Sequence, residues 1–126
     1  MMRVVTAAFL AASPAWGFDV PSGQPVSLQE VLVDTVGEET WLRFRFVAPE
    51  LVGTSGGVDY DATGDDMMYL CTETAIPYAN EYALEGDVIV ISMADRATEF
   101  GQADPEATQL FEAYRPVDNT CIWEAL

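Results

Sequence analysis

The sequence contains no histidine and no lysine, and its 126 residues include five cationic side chains, all arginine. Without imidazole, Ser-His and Cys-His nucleophilic machinery in its usual form is excluded, as is any histidine metal ligand; without lysine there is no Schiff-base chemistry. Cysteine is equally scarce. Cys71 and Cys121 stand 50 positions apart and form neither a metal-type pair nor a C-x-x-C redox motif. Long apolar runs are missing too: beyond the N-terminus the longest, Val88 to Ala94, is strand-sized.

What the chain has in excess is acid. Twenty-one aspartates and glutamates give a formal charge of −16. Such a surface repels polyanions, so nucleic acid and anionic lipid are poor candidate partners and none is expected, whereas a basic protein, a cationic ligand or a divalent metal is attracted.

The N-terminus, "MMRVVTAAFLAASPAWGFDV", carries Arg3, then an apolar stretch over residues 4–12, then Ser13, Pro14 and small residues at Ala15 and Gly17. This predicts a secretory signal peptide over residues 1–17, cleaved after Gly17, with an apolar core too short for a permanent membrane anchor. The exported remainder, residues 18–126, is one domain, with four arginines against 21 acids and a formal charge of −17. The expected location is the periplasm or the exterior, with no membrane insertion once the signal is gone. In that setting Cys71 and Cys121 are expected to form a structural disulfide. Nothing in the residues sets an oligomeric state.

Along the exported part, "VSLQEVLVD" and "WLRFRFVAP" flank "TVGEET" and predict a hairpin of strands at about 26–34 and 40–48. In the second strand Leu42, Phe44 and Phe46 alternate with Trp41, Arg43, Arg45 and Val47, so the first set should enter the core. "PELVGTSGGV" reads as a surface loop. Met67, Met68, Cys71, Ala75, Ile76, Tyr78, Ala79 and Tyr82 recur at helical spacing, predicting a helix over about 64–84, kinked at Pro77 and closed by Gly86. "DVIVISMAD" is a buried strand, and "RATEFGQADPEA" a strand extension followed by a loop. Residues 109–114 suit strand or helix; two strands around the turn "PVDN" are the reading adopted. The resulting order β-β-α-β-β-β predicts a single two-layer α+β domain, a mainly antiparallel sheet with one long Pro-kinked helix on one face.

Three constellations bear on function. Asp59-x-Asp61-x-Thr63-Gly64-Asp65 matches the beginning of a calcium loop, where alternate oxygens converge and glycine allows a sharp turn. The match stops at Leu70, which stands where a bidentate glutamate is required. The competing reading makes Thr63 a helix N-cap with Asp66 three residues on. Second, Trp41, Arg43 and Arg45 share a strand face and form a candidate patch for a carboxylate or aromatic ligand, unless the arginines pair with cross-strand acids such as Glu30 or Asp34. Third, the catalysis still open is a carboxylate pair, as in glycoside hydrolysis, and no pair among the acids stands out.

"PSGQPVSLQEVLVD", "WLRFRFVAPE", "EGDVIVISMADRATEFG" and the ending "CIWEAL" resemble a family of short exported bacterial proteins of unknown function. Chains similar to these sometimes bear the name acetolactate synthase. The residues argue against that activity: thiamine-diphosphate enzymes are several times longer and hold magnesium through Gly-Asp-Gly, whereas here Gly86 and Asp87 run on into Val88 and a strand. The expectation is therefore a non-catalytic exported domain that binds a basic protein or envelope component through its acidic surface, needing no cofactor. The alternatives are a small carboxylate hydrolase or a weak calcium binder over residues 59–66.

Overall fold

The computed structural model describes residues 3–4, 17–51 and 59–125. Its framework is one mixed sheet whose strands lie side by side in chain order. A two-residue strand, β1 (Arg3–Val4), pairs antiparallel with the outer side of β2 (Ser27–Val36). The rest of the predicted signal segment up to residue 16 lies outside the described residues. A tight turn at Gly37, whose φ of 63° favours glycine, joins β2 to β3 (Glu39–Val47). The predicted alternation holds: Leu42, Phe44 and Phe46 are all buried on one face. Each such side chain contributes about 1.5–3 kcal/mol by leaving water. After the helix, β4 (Val88–Ala94) runs parallel to β3, and β5 (Gln109–Val117) and β6 (Thr120–Glu124) complete the sheet antiparallel.

Residues 109–114 are thus strand. The "PVDN" turn closes on Asp118 and Asn119, both at positive φ (51° and 63°), as a two-residue hairpin turn requires. The fold is an α+β domain with a mostly antiparallel sheet and the predicted element order, preceded by the short β1. Residues 95–108 form a loop with no strand extension. Its base is closed where the Asp95 amide donates to the Thr108 carbonyl at 3.0 Å and the Thr108 amide to the Asp95 carboxylate at 3.1 Å.

The helical segment is α1 (Tyr60–Leu70), a π turn (Cys71–Ala75) and α2 (Ile76–Glu81). It begins four residues before the expected start, and its N-cap is Asp59 rather than Thr63. The Asp59 carboxylate accepts from the Ala62 amide at 3.0 Å, and its carbonyl takes the Thr63 amide at 2.9 Å. Starting there turns Thr63, Asp66, Met67 and Leu70 onto the buried face. The π turn is the physical form of the predicted kink: Pro77 has no N–H for the Glu73 carbonyl, and the Ile76 amide donates to the Cys71 carbonyl in the wider i to i+5 register. Gly86 does not close the helix. Ala83, at φ 54°, turns the chain, and the Leu84 amide caps the Ala79 carbonyl at 2.8 Å. Gly86 instead lies against Leu42, where a Cβ would come within 2.6 Å of Cγ.

Cys71 and Cys121 are disulfide-bonded, Cα atoms 6.2 Å apart, joining the π turn to β6. The segment before β2 is strapped to the same layer. Phe18 meets Phe46 edge-on at 5.8 Å, and the fully buried carboxylate of Asp66 accepts from the Ser22 amide (2.9 Å), the Ser22 hydroxyl and the Gln24 side-chain amide (2.7 Å).

Candidate functional site

The helix covers the sheet face bearing Leu42, Phe44 and Phe46, so the odd-numbered residues of β3 turn to the other side. In register beside Arg43 and Arg45 stand Val90 and Ser92 of β4, and beside those Ala113 and Phe111 of β5. The loop 95–108 folds back over this face. Thr98 pins it: its hydroxyl accepts from Arg45 Nη2 and from the Gln109 side-chain amide, each at 2.8 Å, and its carbonyl from Gln29 at 2.7 Å. Phe100 is thereby laid over the arginines, its ring centre 5.3 Å from the Arg43 guanidinium carbon and 5.4 Å from that of Arg45. Between this loop and β3–β5 lies an open groove of about 220 Å³, lined by Arg43, Arg45, Ser92, Phe100, Gln102 and Phe111 among others.

The two arginines differ in what they have to spare. Arg45 is buried and committed, with Nη1 to Glu30 and Nη2 to Thr98. Arg43 gives Nε to Asp34 at 3.0 Å and lies over the rings of both Phe100 and Trp41, each ring centre 5.3 Å away. The cross-strand acids named from sequence are thus the partners of both. Further along the same face, Arg115 bridges Glu39 (2.6 Å) and Glu124 (2.7 Å), and its hydrogen bonds hold both carboxyls below their ordinary range. Arg96 pairs with Asp95 at 3.2 Å and holds its carboxyl low in the same way.

The structure does not bring the calcium-loop residues together. Asp59 is the helix cap, and Asp61, Thr63 and Asp65 follow inside α1, where alternate positions point to opposite sides; Thr63 is buried and Asp65 exposed. Among the described residues no group of three or more acids or cysteines is placed to hold a metal. No helix among them is long and apolar enough to cross a membrane.

The model of a family of unknown function, DUF6497, matches residues 3–126, nearly the whole chain. The chain belongs to this family. No curated protein and no solved structure matches it.

For this member of DUF6497 the sequence reading found Arg43, Arg45 and Trp41 but not Ser92, Phe100, Gln102 or Phe111. Ser92 and Phe111 had a signal, strand alternation, that needed the β3–β4–β5 register to be interpreted. Phe100 and Gln102 had none, because only the Thr98 contacts fix where their loop lands. The opposite surface is chemically distinct. Residues 46–95 contain ten acids and no cation. On the outer side of the helix Asp61, Asp65, Glu73 and Glu81 are exposed, interleaved with the exposed Tyr60, Tyr69 and Tyr82.

Proposed function

We propose that the chain is an exported, disulfide-stapled, non-catalytic domain of the periplasm or exterior that binds a basic protein or basic envelope component by electrostatic attraction. The observation that carries this reading is the segregation of charge. All four arginines beyond residue 17 lie in ion pairs with carboxylates, and none belongs to the helical layer. The helix therefore offers a basic partner uncompensated carboxylates, with tyrosines among them suited to stack on arginine or lysine. A field of one sign steers such a partner and accelerates its encounter.

The test is retention of a basic protein from envelope extract on the immobilised exported chain, beside a variant carrying Asp61→Asn, Asp65→Asn, Glu73→Gln and Glu81→Gln. Raising salt from about 0.1 M to about 1 M shortens the screening length from ~10 Å to ~3 Å. The expected result is retention at low salt, release at high salt, and none by the neutralised variant. Retention that survives high salt, or that the variant matches, refutes the electrostatic reading.

A further inference from the structure

We propose that the groove beneath Phe100 is a binding site for a small carboxylate with an apolar body, gripped by the outer nitrogens of Arg43. This goes beyond the basic-partner reading and does not rest on it, since it concerns the other face of the sheet. Arg43 spends only Nε on Asp34; Nη1 and Nη2 donate to nothing among the described residues. That free edge of the guanidinium is the fork that takes a carboxylate through two parallel hydrogen bonds. Its position is fixed before any ligand arrives, by the Asp34 pair on one edge and by the neighbouring rings of Trp41 and Phe100. A cation held this way loses little conformational freedom on binding.

The rest of the groove matches a ligand with an anionic head and an apolar tail. The Ser92 hydroxyl and the Gln102 side-chain amide line it and donate to nothing among the described residues. Phe100, Phe111 and Val90 supply apolar wall, and Phe111 is 66% exposed although its neighbour in register is the groove residue Ser92. At about 220 Å³ and open to solvent, the groove has room for a small ligand such as a single ring with a short acid arm. The charge of Arg45 is balanced by Glu30, and Glu99 also lines the groove, so the grip on a carboxylate rests on the Arg43 fork.

The probe is 3-phenylpropionate, titrated into the ¹⁵N-labelled exported chain at physiological ionic strength and followed by amide shifts, with 3-phenylpropionamide as the uncharged twin. A tripeptide, Ala-Ala-Phe, with a free or an amidated C-terminus, distinguishes a free acid from a chain end as the source of the carboxylate. The expected result is saturable movement of Ser92, Phe100, Gln102 and Gln109 with a dissociation constant of about a millimolar or tighter, absent with the amide, and weakened at least about tenfold in Arg43→Gln. Arg43→Lys keeps the charge beside Asp34 but lacks the fork, and is expected to weaken binding similarly if Arg43→Gln fails to fold. Shifts scattered over the surface, equal binding of acid and amide, no response to either carboxylate, or an Arg43→Lys protein that binds like the original would each overturn the assignment.

Discussion

Reducing the Cys71–Cys121 bridge separates two contributions that a cysteine substitution would confound. The bond spans 50 positions. In the chain-entropy model a cross-link over that loop restricts the unfolded ensemble by roughly 4 kcal/mol at 25 °C. Both sulfurs are buried, so reduction leaves the packing volume nearly intact and exposes the cross-link term alone, whereas Cys71→Ala with Cys121→Ala also leaves a void costing about another 1 kcal/mol. For a domain of this size 1 kcal/mol moves Tm by about 4–6 °C, so reduction is expected to lower Tm by about 15–25 °C, and the double alanine variant somewhat further. Thermal melts by circular dichroism of oxidised and reduced protein, with intact mass confirming the thiol state, read the difference. The loss has a place as well as a size. β6 is a five-residue edge strand whose Cys121 is buried while Ile122 and Trp123 stand 53% and 57% exposed, so the bridge is its firmest hold on the core. Amide exchange in β6 should therefore accelerate more on reduction than exchange in β4. A reduced protein melting within about 3 °C of the oxidised one would refute the loop-closure argument, and equal acceleration in β4 and β6 would refute the local one.

Two other perturbations follow from the polar contacts. Asp66→Asn places an amide N–H₂ among donors that all point at a carboxylate, from Ser22 and Gln24, and is expected to cost about 1–3 kcal/mol by urea unfolding, with faster exchange in residues 18–26; an unchanged midpoint would show that the strap is not held there. Arg115 lowers the carboxyls of Glu39 and Glu124 from their unfolded value near 4.5, so their contribution is complete above that pH and is lost as pH falls through the lower folded values. The Tm gap between the natural protein and Arg115→Gln should therefore narrow as pH drops below about 4.5, and a gap constant from pH 7 to pH 3 would contradict the pairing.

The elements legible in the sequence were those set by local pattern. Leu42, Phe44 and Phe46 declare a half-buried strand by period two, residues 88–94 a buried one by β-branched content, and Asp118-Asn119 a turn because both tolerate positive φ. The helix start was misplaced because Asp59 and Thr63 are both competent caps. What decides between them is non-local: Asp66 is needed on the inner face to receive Ser22 and Gln24, and the extra turn puts it there. Gly86 looked like a helix terminator, whereas its lack of a side chain serves the approach to Leu42, 44 positions away in sequence. The groove was half legible for the same reason. Alternation names Arg43 and Arg45, but its roof depends on where Thr98 binds.

The four arginines explain how so acidic a chain keeps a loop-rich sheet face in order while leaving the helix layer uniformly negative. Arg45 ties the loop 95–108 to β2 and β3 through Thr98 and Glu30, Arg96 pairs with Asp95 at the loop's base, and Arg115 links β3, β5 and β6 through Glu39 and Glu124. Arg43, with Nη1 and Nη2 directed to no protein acceptor among the described residues, keeps capacity for a ligand within the groove. The helical layer makes its cross-links without cations, its inner face held by apolar packing, a disulfide and the neutral donors of Ser22 and Gln24 on Asp66. The consequence is a domain whose two faces differ, acids without cations on the helix layer and arginines paired with acids on the other side of the sheet. A cationic partner on the acidic helix, as proposed, would leave the Arg43 groove open, and a carboxylate in the groove would leave the helix surface unchanged in composition. The two proposed binding events would be independent unless the strand register itself shifted, and with nine residue pairs to β2 and seven to β4 such a shift would turn the core side chains of β3 toward water.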